Sequence, residues 1–224
     1  EDNGHAKLLS VENQDGATLS GGGIYALQNS GFGGLSDVGG FSNAGTLSPG
    51  RSNTLGSLMI IGDYTQTATG ALEMKFAADG NTATLVVNGN AMVDGRLQFR
   101  PIQDYYRSGT DIVSLDSSNN APMIEVNGTK IVNFMGSPSL VSDSPTLTMS
   151  LATSGGVSRV SVSRAANAYS QYAGSNDNGA QVGFALSQLG GNAKGDMQNL
   201  VGTLDFSTPG IIGQALPQLS PAVY

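Results

Sequence analysis

The residues of this 224-residue chain that could do chemistry are few and scattered. His5 is the single histidine, and no cysteine is present. A Ser-His-Asp triad would have to use His5, which stands at a start expected to fray. No serine carries the Gly-x-Ser-x-Gly elbow that exposes a nucleophile. Without cysteine, thiol nucleophiles, disulfide scaffolds and thiolate zinc sites are excluded, and one histidine is too few for the remaining zinc sets. Asn176-Asp177-Asn178-Gly179 faintly resembles a calcium loop but lacks the downstream bidentate glutamate, so it reads as a turn or helix start. Asp94-Gly95 reads as a turn. Asp111 and Asp116 could pair as acid and base, but sequence gives no separation between them, and they read as solvated loop charges. Tyr105 and Tyr106 could bind sugar or peptide; aromatics beside turns more often pack under loops. Asn127-Gly128-Thr129 fits a glycosylation sequon, yet Asn-Gly is also what a tight turn requires.

The elements that would hold such residues are short strands. Glycine supplies 32 residues, and only 12% are charged, which is the composition of a turn-rich β protein. The net charge of -7, with no lysine or arginine cluster, excludes a nucleic-acid interface and disfavours anionic lipid. No stretch is apolar and long enough for a membrane helix. The opening Glu1-Asp2-Asn3-Gly4 is no signal peptide and reads as a cut within a longer protein. From Leu55 to Pro101 four apolar runs follow one another: Leu58 to Ile61, Leu72 to Phe76, Leu85 to Val87 and Leu97 to Phe99. Leu58, Leu72, Leu85 and Leu97 recur about every 12 to 14 residues, the spacing of strands in a coil. Alternation turns Leu72, Met74, Phe76, Leu97 and Phe99 inward, and Glu73, Lys75, Gln98 and Arg100 outward. The pattern predicts a parallel β-solenoid.

Before this stretch, residues 1–54 alternate weakly and carry glycine turns at Gly21-Gly22-Gly23 and Gly31 to Gly34. These read as turns, since neither a strand–helix frame nor a lysine makes them a phosphate cradle. After it, Ile124-Glu125-Val126 and Thr129 to Val132 flank Asn127-Gly128, which predicts a hairpin with a type I′ turn. Leu147, Met149 and Leu151, then Ser154-Gly155-Gly156, then Val157, Val160 and Val162 predict a second hairpin. From Arg164 the chain turns helical. Val182, Leu186 and Leu189 are spaced for one helix face; Met197, Leu200, Val201 and Leu204 for another, with Asp196 as N-cap. Pro209 could open a further turn.

The stretch from Asn43 resembles the C-terminal end of pertactin-like autotransporter (type V secretion) passengers. The family pattern runs N-x-G-x-hydrophobic-x-PG, then G-x-L-x-hydrophobic-x-G-x-Y-x-Q, then L-x-V-x-G-x-A-x-hydrophobic-x-G-x-L. Gly45, Pro49, Gly50, Gly56, Leu58, Gly62, Tyr64, Gln66, Leu85, Val87, Gly89, Ala91, Gly95 and Leu97 fall on it, and Leu72 keeps the leucine spacing. Thr84 stands where many members have aspartate. The end, Ala215-Leu216-Pro217-Gln218-Leu219-Ser220-Pro221, resembles the segment that precedes the membrane barrel. The resemblance implies an all-β fold: the end of a right-handed parallel β-helix capped by β-hairpins, with a short helical C-terminal segment. It divides the chain into last β-helix turns (1–54), an autochaperone-like region with its hairpin cap (55–163) and a pre-barrel linker (164–224). It implies a non-catalytic stem with no cofactor, at the bacterial cell surface or secreted, exported through the periplasm and outer membrane. Implied partners are its own upstream passenger, its own membrane β-barrel, the outer-membrane barrel assembly machinery and a host-surface ligand. Two other functions remain open: support for an upstream subtilisin-like protease or esterase, and an adhesin.

Overall fold

The computed structural model of the chain describes residues 10–27, 39–108, 111–116, 123–154 and 157–219, with backbone alone at 111–116 and 157. His5, the glycine run at 31–34, the turn at Gly155-Gly156, and Ser220-Pro221 lie outside the described residues, as do the side chains of Asp111 and Asp116. Two compact units form: residues 1–76, 81–102 and 116–139 make the first, and residues 77–80, 103–115 and 140–224 the second.

The first unit is built of parallel strands. In chain order they are β1 (Ser10–Asn13), β2 (Thr18–Gly21), β3 (Gly23–Ala26), β4 (Gly40–Asn43), β5 (Thr46–Pro49), β6 (Ser57–Ile61), β7 (Asp63–Gln66), β8 (Ala71–Phe76), β9 (Thr84–Asn88), β10 (Ala91–Val93) and β11 (Arg96–Pro101). After β12 (Asp111–Asp116) come β13 (Ile124–Val126), β14 (Lys130–Val132) and β15 (Ser139–Leu140). The chain visits three sheets in turn: β1-β4-β7-β10-β14, β2-β5-β8-β11-β15 and β3-β6-β9-β13. Each return sets a strand beside its predecessor, so like residues stack. Leu19, Leu47, Leu72 and Leu97 stand opposite one another in the second sheet. Leu58, Leu85 and Ile124 do so in the third. The leucine recurrence read from the sequence therefore marks half a circuit. Leu58 and Leu85 belong to one sheet, Leu72 and Leu97 to another.

Alternation sorts side chains as expected on most strands. β6 and β9 bury Leu58, Ile60, Leu85 and Val87 and turn Met59 and Val86 partly outward. β8 departs from this: all six of its residues are buried, Glu73 and Lys75 included. The alternation placed those two on the face opposite the leucine correctly, but that face is covered. On β11, Phe99 is buried and Leu97 only half so.

The hairpin expected at Ile124 to Val132 does not form. β13 pairs in parallel with β9, and β14 with β10, in two different sheets. Asn127-Gly128 is the corner between them, and Gly128 is absent from the positive-φ glycines that a type I′ turn would need. The pattern of two short strands around Asn-Gly is the same for a sheet corner and a hairpin; register with earlier strands decides. The hairpin at 147–162 does form: β16 (Leu147–Ser154) pairs antiparallel with β17 (Val157–Arg164), and β12 lies on the other side of β17.

The second unit adds three helices, α1 (Asp177–Leu189), α2 (Asp196–Asp205) and α3 (Pro209–Gln218). Their core is Ala168, Tyr169, Ala173, Leu186, Ala193, Val201, Leu204, Ile212 and Leu216. Leu189, expected on the buried face of α1, is 60% exposed, because the helix ends there and the chain turns away into a 3-10 turn. Asp196 is the first helical residue and not the cap; Gly195, at φ +57°, takes the cap position. Thr208 caps α3 by accepting the Ile211 amide.

Candidate functional site

The residues of the family pattern converge on the corners and interior of the first unit. The first sheet carries an internal amide ladder. Asn13, Asn43 and Gln66 are register partners. Asn13 Nδ2 donates to Asn43 Oδ1 (2.7 Å), and Asn43 Nδ2 donates to Gln66 Oε1 (3.2 Å). The Tyr64 hydroxyl also donates to Gln66 Oε1 (3.0 Å), and Gln66 Nε2 reaches the Asp94 carbonyl (2.5 Å). Buried amides are tolerated because each donor meets an acceptor on the next strand. Tyr64 packs on Phe41 with centroids 5.8 Å apart, and burial pushes its phenol pKa well above 10.

The corner from the third sheet to the first is one residue, Gly62, after β6; Gly89-Asn90 after β9; and residues 127–129 after β13. These glycines stack. A Cβ on Gly89 would drive into the Gly62 carbonyl, and one on Gly128 into the Gly89 carbonyl, both far inside van der Waals contact. Gly62 and Gly95 in addition take positive φ, +143° and +70°. Gly95 closes a second stack against Gly70, and Gly56 lies against the backbone of Gly50. The chemistry of Gly56, Leu58, Gly62, Tyr64, Gln66, Leu72, Leu85, Val87, Gly89, Gly95 and Leu97 is therefore packing and hydrogen bonding.

Two ionic clusters went unread in the sequence. On the covered face of β8, Lys75 is 2% exposed. Its ammonium donates to Ser48 Oγ and to the carbonyls of Pro49 (3.2 Å) and Gly50 (3.3 Å). Ser48 donates to Glu73 Oε1 (2.9 Å), and Arg100 pairs with Glu73 Oε2 (2.8 Å). Burial lowers the Lys75 pKa from 10.5; the Glu73 charge opposes this and Arg100 adds to it. A Ser-Lys pair can be nucleophile and base, but this serine is 2% exposed and spends its proton on Glu73.

In the second unit, Arg164 pairs with Asp205, their side chains 1% and 0% exposed. Thr146 Oγ1 and the Tyr169 hydroxyl both donate to Asp205 Oδ1 at 2.6 Å. Arg164 also donates to Ser108 Oγ (2.8 Å) and stands 5.7 Å from the Tyr105 ring centroid. Burial works against the Arg164 charge, and the Asp205 hydrogen bond and charge more than restore it. Burial and then the Asp205 charge hold the Tyr169 phenol pKa above its usual value. The signal for this cluster was the change of pattern at Arg164, with an aspartate at the end of a helix whose other face is apolar.

The remaining candidates resolve locally. Asn176 caps α1, its Oδ1 accepting the Gly179 amide at 2.6 Å. Asp94 Oδ1 accepts the Gly95 amide at 2.8 Å. Tyr106 is buried against Phe206, with centroids 5.9 Å apart, and Tyr105 is half-buried beside Arg164. Among the described residues, no three His, Cys, Asp or Glu side chains cluster as a metal site, and no helix is long and apolar enough to cross a membrane, which says nothing of a β-barrel. Compared with protein-family models, with curated proteins and with solved structures, the chain gives no match.

Proposed function

We propose that this chain is the C-terminal stem of a pertactin-like autotransporter passenger, a right-handed parallel β-helix whose last circuits fold first and template the upstream ones. The observation that carries this reading is the placement of the family-pattern residues. They fill equivalent stacked positions: Leu58 on Leu85, Leu72 on Leu97, Gly62 under Gly89, and Tyr64 with Gln66 in the amide ladder. A surface with residues stacked in this way offers the next circuit both an apolar floor and a register.

Outside the outer membrane no ATP drives folding, so direction must come from burial itself. Each added circuit removes apolar surface from water at roughly 25 cal/mol per Å². Nearest-neighbour stacking makes growth sequential once an end is folded. A stem in this role needs no catalytic residue and no cofactor.

The test is Leu85→Asp in the full-length protein, with external protease applied to intact cells. Leu85 is fully buried between Leu58 and Ile124. The expected result is a protease-sensitive or poorly exported passenger while the membrane barrel still assembles. A passenger as abundant and as resistant as wild type would overturn the folding role.

A further inference from the structure

We infer that Asn127 is a site of spontaneous deamidation, a chemical modification that the fold favours at the last corner from the third sheet to the first. Three Asn-Gly pairs lie within the described residues: Asn88-Gly89, Asn127-Gly128 and Asn178-Gly179. Such a pair is intrinsically labile because glycine places no side chain in the path of its own amide. What separates the three is the bonding of the glycine amide at 179 and the exposure and strand neighbours of the pair at 88 and 127.

The Gly179 amide is engaged. It donates to Asn176 Oδ1 at 2.6 Å in the first turn of α1, and Gly179 is buried. Asn88 ends β9, a strand with neighbours on both sides, β6 and β13. Its carbonyl accepts the Gly62 amide (3.1 Å), and Gly89 is wedged in the glycine stack between Gly62 and Gly128. Rotating that peptide would disturb two corners. Asn127 stands one residue past β13, which is an edge strand, and Asn127, Gly128 and Thr129 are all exposed. The Asn127 amide donates to the Val87 carbonyl (2.9 Å) and the Thr129 amide to Asn90 Oδ1 (3.0 Å). Neither the Gly128 N–H between them nor the Gly89 N–H has a hydrogen-bond partner among the described residues, so exposure and the edge position are what set 127 apart from the half-buried pair at 88.

The reaction needs only water. The Gly128 amide nitrogen gives its proton to solvent base and attacks Asn127 Cγ. The new N–Cγ bond closes a succinimide, and the Cγ–Nδ2 bond breaks to release ammonia. Water then adds to one of the two ring carbonyls. Opening leaves either an aspartyl residue at 127 or an isoaspartyl linkage, in which the main chain runs through the former side chain and is one atom longer.

Both products change the corner. Asn127 Nδ2 now donates to Asn88 Oδ1, and that donor is lost. The carboxylate that replaces it faces the same oxygen. The isoaspartyl form also lengthens a corner whose Gly128 is packed against the Gly89 carbonyl, and this shifts the register of β14 on β10.

The experiment is ageing of the intact folded chain in mildly alkaline buffer, followed by peptide mapping for the one-dalton gain and by isoaspartyl methyltransferase labelling. A second sample is aged in denaturant. The expected result is modification at 127 in the folded chain about tenfold faster than at 88 or 178, with the three sites converging in denaturant as protection by structure is removed. Labelling at this site should vanish in Asn127→Gln. Comparable rates at the three sites in the folded chain, or faster reaction at 88 or 178, would overturn the inference.

Discussion

Lys75 is a buried cation whose charge state the fold disturbs. Its ammonium is desolvated on the covered face of β8, which lowers its pKa below 10.5. A lysine with a depressed folded pKa binds fewer protons folded than unfolded in the window between that value and 10.5. Unfolding then takes up a proton, so the Lys75 contribution to stability rises with pH through that window and levels off above it. Tyr64 and Tyr169, with raised phenol pKa values, act oppositely above pH 10.0, where only the unfolded forms ionise. They are common to wild type and Lys75→Met, so the difference between the two melting series isolates the lysine. That difference should climb in favour of wild type as pH approaches 10.5. A flat or falling difference in melting temperature would refute the assignment. The alternation Leu72-Glu73-Met74-Lys75 made the faces of this strand legible. It could not tell that the second face is covered, because the carbonyls that receive Lys75 come from the exit of β5, on the neighbouring strand of the sheet.

At the scale of elements, corners set what a circuit can tolerate. Gly89 has an ordinary backbone conformation, yet a Cβ there meets the Gly62 carbonyl, a backbone atom that cannot swing aside. Gly89→Ala should cost on the order of 2 kcal/mol or more. Gly210, in the first turn of α3, has open space around its Cβ position. Gly210→Ala should be neutral or gain up to about 1 kcal/mol by restricting the unfolded chain. Urea midpoints of the two variants read both; equal effects would remove the stacking argument. Glycines at 62, 89 and 95 were legible as corners, since each stands between apolar runs. The corner at Asn127-Gly128 was not, because local sequence specifies that the chain turns and leaves open which strand receives it. Parallel pairing of β13 with β9 is a long-range event, and only the match of Ile124 to Leu85 and Val126 to Val87 encodes it. The partners of Asp205 were equally hidden: Thr146, Arg164 and Tyr169 stand far from it in sequence.

The whole molecule holds two cores of different construction, stacked parallel strands in one unit and a hairpin with three helices in the other. Each contains a position where one atom-scale change introduces an unpaired buried group. Leu85→Asp puts a carboxylate among Leu58 and Ile124. Asp205→Asn removes the charge that Arg164 pairs with and leaves the buried guanidinium without a counter-charge. Each should cost about 3–5 kcal/mol, the usual penalty for an uncompensated buried charge. The cost should fall on the core that holds the change, because the side chains that must rearrange belong to that core. Native-state hydrogen exchange then separates the two. Leu85→Asp should accelerate exchange at Ile60, Leu72 and Val87 and spare Val201 and Leu204. Asp205→Asn should do the reverse, accelerating exchange along α2 and β17 while Leu72 and Val87 keep their protection. If either variant lowered protection equally in both units, the chain would unfold as one cooperative body. Template-driven folding of the first unit would then have to be tested with the second unit included in the template.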